Sequence, residues 1–113
     1  MNLTRTFDLL DRYRELFNKD EALCGKINGK WVKYSAADYI RYSLDFSYGL
    51  LEKGLTKGDM IMTVSNNRPE WNFADMGMSM IGIVHVPVFT SLSTAEYLYI
   101  ITHCEPKLIL VSD

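Results

Sequence analysis

The spacing of apolar positions along the chain changes once, near residue 58. Before it, Phe7, Leu10, Tyr13 and Phe17 recur at three- and four-residue intervals and predict an amphipathic helix over residues 4–17. Two short apolar-alternating runs follow, residues 22–27 and 30–34, with Asn28-Gly29 between them. Asn and Gly tolerate the positive φ that a type I′ turn needs at both central positions, so the pair predicts a β-hairpin. Ser35 stands three residues before Asp38, an N-cap with the spacing of a capping box. The helix it opens is expected to carry Ala36, Ile40, Leu44, Ser47 and Leu51 on one face and to stop at Gly54, a residue suited to the left-handed position past a helix end.

Beyond residue 58 the runs become apolar on both faces. Residues 60–64, 83–89 and 108–111 predict strands, the second of them interrupted by His85 and Pro87. Between them, Pro69 fits the first turn of a helix through Trp71, Ala74, Met78 and Ile81. Ser93 with Glu96 forms a second capping box, opening a helix through Tyr97, Ile100 and Ile101 to about His103. Doubly apolar strands alternating with helices predict a parallel sheet covered on its faces by helices. The fold class is α/β: an N-terminal helix and hairpin over residues 1–34, then an αβαβαβ unit over residues 35–113. Three parallel strands are few for such a sheet, so residues 1–113 read as a single partial domain.

Composition narrows the function classes. The chain has 113 residues, 48% of them hydrophobic, with a net charge of −2, which fits a globular domain and excludes a disordered tail. Residues 1–57 hold ten of the twelve Lys and Arg with eight acids; residues 58–113 hold only Arg68 and Lys107 against six acids. Neither half has the clustered cationic face of a nucleic-acid binder, and none is expected as a partner. The charge-poor second half is expected to lie inside a larger structure. Its longest uncharged apolar stretch, residues 76–92, contains Gly77, Gly82, His85 and Pro87, so no transmembrane segment is expected. Arg5 and Asp8 precede any apolar run, which argues against a secretory signal. Two cysteines, Cys24 and Cys104, form neither a disulfide framework nor a zinc pair, and point to a reducing, cytoplasmic setting.

The chemical motifs are sparse. Gly25-Lys26-Ile27-Asn28-Gly29-Lys30 approaches a phosphate loop but is one residue short and lacks the hydroxyl, so it reads as the hairpin turn. Gly77 and Gly82 lie within and at the end of a helix, where a dinucleotide motif would have to open one, and are expected to permit close helix–sheet packing. His85, His103, Cys24 and Cys104 make no ligand pattern, and both histidines read as structural. Ser91, Ser93 and Thr94 read as capping residues, with substrate contact the alternative. Five of the six methionines fall between Met60 and Met80 and predict a soft core between strand and helix. The best-placed functional candidate is the loop Ser65-Asn66-Asn67-Arg68. It joins a parallel strand to a helix N-terminus, where backbone N–H groups attract anions. The competing expectation is that Asn66 or Asn67 simply caps the helix. No catalytic, cofactor-binding or metal-ligating residue is assigned.

Several segments in order resemble a known family: Gly58-Asp59 before a strand, Asn67-Arg68-Pro69-Glu70-Trp71 opening a helix, Val86-Pro87-Val88-Phe89-Thr90-Ser91, and Ser93 and Glu96 leading into Lys107 through Asp113. This order is similar to the extreme N-terminal part of the adenylate-forming acyl-CoA synthetases, most of all the long-chain-fatty-acid–CoA ligases. Phe89-Thr90-Ser91 stands where amino-acid-activating members have a Leu-Asp-Pro-like sequence, which favours the acyl-CoA branch. The resemblance implies ATP-dependent adenylation of a carboxylate and then thioester formation with CoA, with ATP, Mg and CoA as cofactors of the full-length enzyme. It implies a cytoplasmic enzyme that can be peripheral to membranes. The family's Ser/Thr/Gly-rich phosphate loop, Mg-binding acid and catalytic lysine match no position here, so this chain alone is expected to be inactive. Its expected partners are the remainder of such an enzyme, or a second copy paired through an exposed sheet edge or an exchanged N-terminal helix or hairpin. The alternative is a small stand-alone α/β module that binds an anion or nucleotide at the Asn66–Arg68 loop, or serves only in interactions.

Overall fold

A computed structural model describes residues 2–112. The elements run α1 (Asp8–Leu16), β1 (Leu23–Ile27), β2 (Lys30–Tyr34), α2 (Ala36–Glu52), β3 (Met60–Val64), α3 (Pro69–Met80), β4 (Val84–Val88), α4 (Thr94–Cys104) and β5 (Leu108–Val111). This is the expected α/β order of a helix, a hairpin and an αβαβαβ unit. β1 and β2 pair antiparallel through Asn28 at φ 51° and Gly29 at φ 79°, the two positive values that the Asn-Gly turn predicts. β3, β4 and β5 form a parallel sheet in the order β4-β3-β5.

Both capping boxes form. The Ser35 hydroxyl accepts from the Asp38 N–H at 3.0 Å while the Asp38 carboxylate accepts from the Ser35 N–H, and Ser93 and Glu96 repeat the exchange at the start of α4. Those hydrogen bonds favour the ionised carboxylates and hold Asp38 and Glu96 below the usual range. α1 starts later than its apolar spacing predicts, because the Asp8 carboxylate folds back to accept from the Thr4 and Arg5 N–H groups. The Arg5 guanidinium completes this clasp and, as the main cause, holds the Asp8 carboxyl down at about 2.

The core divides in two. One cluster joins Leu50 and Leu55 to Ile61, Ala74, Met78 and Ile83; the other joins Leu10, Tyr39, Phe73 and Met76. Met62, Met76 and Met78 are buried, as the methionine run predicts. The Tyr39 ring is edge-on to Phe73, and burial pushes its hydroxyl up to about 12. The face of α2 differs from the sequence reading. Ala36, Tyr39, Ser43, Ser47 and Leu50 are buried, whereas Leu44 and Leu51 are exposed. The reason is the closeness of α2 and α3. Ser47 Oγ donates to the Gly77 carbonyl at 2.5 Å, and a Cβ on Gly77 would lie 2.7 Å from the Ser43 carbonyl oxygen. Gly77 therefore serves helix–helix contact, not helix–sheet contact. Gly82 occupies a turn at φ 76° against the Lys57 side chain.

The two faces of the sheet are unequal. α2 and α3 cover the face that carries Ile61, Thr63, Leu108 and Leu110. On the opposite side no residue of α4 is fully buried, and Val84, Ile109 and Val111 are exposed. The radius of gyration, 15.2 Å, exceeds the roughly 13 Å expected of a compact domain of this length. The charge-poor second half is thus built around a sheet that its own helices leave partly uncovered.

Candidate functional site

The loop Ser65-Asn66-Asn67-Arg68 leaves the C-terminal end of the central strand, the position where open α/β sheets gather functional residues. Ser65 Oγ donates to the Asn66 carbonyl at 2.8 Å, and the Asn66 N–H donates to Ser112 Oγ at 3.2 Å. The loop is therefore tied to the end of β5. Three cavities meet around it. The first, about 470 Å³, lies between α2, α3 and the ends of β3 and β5, with Tyr42, Phe46, Thr63, Trp71 and Leu110 in its walls. A second, about 530 Å³, runs towards Val88 and Phe89, and a third, about 440 Å³, opens beneath the hairpin. There Gly25 packs so close to Pro69 that a Cβ would sit 2.9 Å from the proline ring.

The helix cap corrects the sequence reading. The N-cap of α3 is Arg68, in extended conformation and without a side-chain capping bond; neither Asn66 nor Asn67 holds that position. Pro69 at the first helical position has no N–H, the Trp71 N–H is directed at the Arg68 carbonyl, and Glu70 places a carboxylate in the first turn. Pro69 removes one backbone donor from this helix end and Glu70 adds a negative charge to it, against the usual preference of helix N-termini for anions. The geometry thus offers the anion-binding alternative little support.

A second cluster, not assembled by the sequence reading, lies beside the first cavity. His85 on β4 has its Nδ1 2.7 Å from Asp75 Oδ1 on α3 and its Nε2 2.7 Å from Thr63 Oγ1 on β3. A carboxylate only accepts, so Nδ1–H donates to Asp75, and in the neutral imidazole Nε2 accepts from the Thr63 hydroxyl. The ring also packs on Trp71, with centroids 5.0 Å apart. Thr63 is 3% exposed, so the hydroxyl is enclosed and satisfied by the imidazole. The relay fastens α3 to two strands. Thr63 and His85 are the polar residues on the inward face of otherwise apolar runs, and that is their signal in the sequence; their lateral pairing with Asp75 needs the sheet register. His103, by contrast, stacks on Tyr99 on the outer side of α4. Ser93 caps α4 and Ser91 is exposed. Cys24 and Cys104 are free thiols. Among the described residues no group of three His, Cys, Asp or Glu side chains could hold a metal ion, and no helix is long and apolar enough to cross a membrane.

Comparison with known proteins places this arrangement. The sequence profile of the family described as AMP-binding enzyme matches residues 10–113. Fatty acyl-CoA synthetase A of Dictyostelium discoideum is 34% identical over 117 aligned residues, which cover 94% of this chain and 17% of that protein. Long-chain-fatty-acid–CoA ligase ACSBG1 of Rattus norvegicus is 28% identical over 105 residues, covering 93% of this chain and 14% of the relative. The chain therefore spans about a sixth of the length of these curated relatives or less. Among solved structures, IdnL1 superposes with a TM-score of 0.89 at 19% identity, over 98% of this chain and 23% of that one. The fatty acid AMP ligase from Legionella pneumophila superposes with a TM-score of 0.80 at 15% identity, over 95% of this chain and 19% of that one. In fold, the chain corresponds to the N-terminal part of adenylate-forming enzymes. With the profile covering nearly all of its residues, this chain belongs to the AMP-binding enzyme family.

Proposed function

We propose that this chain is the N-terminal portion of a long-chain-fatty-acid–CoA ligase, and a partial domain of that enzyme. The complete enzyme would couple ATP to adenylation of a fatty acid and then pass the acyl group to the thiol of CoA. The observation that carries this reading is the likeness to fatty acyl-CoA synthetase A along nearly the whole chain. In this reading ATP, Mg and CoA belong to the complete enzyme, and no residue of this chain is assigned to hold them. No step of the reaction is therefore routed through this chain's residues. In this reading the chain contributes scaffold. It sets a parallel sheet, clamps α2 against α3, and presents the residue 65–68 loop at the strand ends.

The remainder of the ligase is the natural cover for the half-bare sheet, and without it the chain associates with itself. A cytoplasmic enzyme able to sit at membrane surfaces fits the same reading. The experiment is ATP–pyrophosphate exchange with palmitate and Mg on the purified chain. Background exchange is expected; turnover above background would overturn the assignment of the chemistry to other parts of the enzyme.

A further inference from the structure

The β1–β2 hairpin has two unlike ends. At its base, Leu23 and Tyr34 pack on the cluster of Leu10, Tyr39, Phe73 and Met76. Two acids also lie at this end: Glu21 pairs with Lys33, and Glu70 lies against Tyr34. The end that carries the turn has no such cover. Ile27 is 51% and Trp31 65% exposed, and residues 22–37 hold Lys26, Lys30 and Lys33 without an Asp or Glu. The register pairs Lys26 with Trp31 and Ile27 with Lys30. Side chains alternate along each strand, so each face of the tip carries one large apolar group and one lysine. On one face the Lys26 ammonium lies 5.7 Å from the centre of the Trp31 ring.

We propose that this tip inserts into the headgroup layer of an anionic lipid bilayer. This deepens the membrane-surface part of the reading above by naming its contact. A bilayer surface is soft and can surround both faces of a two-stranded ribbon, whereas a flat protein surface meets one. Trp31 and Ile27 supply the apolar groups that enter the interface, where tryptophan is favoured because its ring is apolar and its N–H is polar. The lysines run their methylene stems along these groups and leave their ammonium ends at the phosphates. Each cation near an anionic surface adds to binding. Asn28 and Gly29 close the turn within two residues, so little backbone has to leave water. Two apolar side chains and two lysines make a weak, reversible anchor that needs anionic lipid.

On the purified chain the test is sedimentation with vesicles of phosphatidylcholine containing phosphatidylserine, against phosphatidylcholine alone. Binding to the anionic vesicles is expected, weakening as salt is raised. Lys26→Glu with Lys30→Glu should weaken it by more than about tenfold, and Trp31→Ala should weaken it too. These positions are exposed, so the circular dichroism of the variants should match the parent's. The difference in emission between the parent and Trp31→Phe isolates the Trp31 indole from that of Trp71. That signal should shift to the blue on anionic vesicles and be quenched by brominated lipid. No binding to anionic vesicles at low salt overturns the proposal, as does binding that the lysine reversals leave unchanged. Binding with an unmoved Trp31 signal spares the membrane-surface reading and overturns the tip as its contact. A Trp31 signal already blue without vesicles, and reversed by dilution, would show a contact between copies and overturn it as well. None of these outcomes touches the ligase assignment, which the exchange assay tests separately.

Discussion

Gly77 shows how one residue sets the distance between two helices. Replacing it with alanine adds helix propensity of about 1 kcal/mol. The new Cβ, however, would sit 2.7 Å from the Ser43 carbonyl oxygen and 2.9 Å from the Phe46 ring. A backbone oxygen inside a packed helix cannot step aside, so the clash wins. Gly77→Ala should destabilise the fold by about 1–3 kcal/mol, measured as a shift in the urea midpoint at unchanged slope. Asp8 gives a pH signature at the same scale. Its carboxyl titrates near 2 in the fold, below its ordinary 3.8, chiefly through the hydrogen bond from Arg5. A depressed carboxyl contributes stability that is fully present above the ordinary value and is lost as pH falls through the folded one. The clasp at the head of α1 should therefore open between about pH 4 and pH 2. The Thr4 and Arg5 amide signals should move over that window in the parent chain and should already be displaced at neutral pH in Asp8→Asn.

Elements differ in how much they depend on their own ends. α2 is held by packing against α3 as well as by its capping box, whereas α4 has the box but no fully buried residue. Removing the cap by Ser93→Ala should cost about 1 kcal/mol. Its effect should concentrate in α4, as faster amide hydrogen exchange there than in α2 or α3. The same contrast explains what can be read from the sequence. Asn28-Gly29, the pairing of Ser35 with Asp38 and of Ser93 with Glu96, and Gly54 past the end of α2 are local signals, and each marks the boundary it predicts. Apolar spacing misplaces the inward face of α2 because its contact with α3 is so close that serines, not leucines, fit there: Ser43 and Ser47 are buried while Leu44 and Leu51 face outward. Residue type misplaces the cap of α3 because Pro69 fixes the first turn and leaves Arg68, in extended conformation, at the boundary. The Asp75–His85–Thr63 relay joins three elements, so no spacing along the chain could display it.

At the scale of the molecule, the order of segments carries more information than any single motif. Gly58-Asp59, Asn67 through Trp71 and Val86 through Ser91 fall at the entry to β3, the start of α3 and the exit from β4. Together they mark the AMP-binding enzyme family, whose profile matches residues 10–113. The sheet bears the same mark. One face is closed by α2 and α3, and the other leaves Val84, Ile109 and Val111 in solvent, as suits a unit made to be covered. The assignment is tested most directly by a chimera in which this chain replaces the matched segment of Dictyostelium fatty acyl-CoA synthetase A, assayed for long-chain acyl-CoA formation. ATP-, Mg- and CoA-dependent activity within about tenfold of the parent enzyme is expected, a barrier change of no more than about 1.4 kcal/mol. A chimera with the parent's circular dichroism and thermal transition but no acyl-CoA product would contradict it.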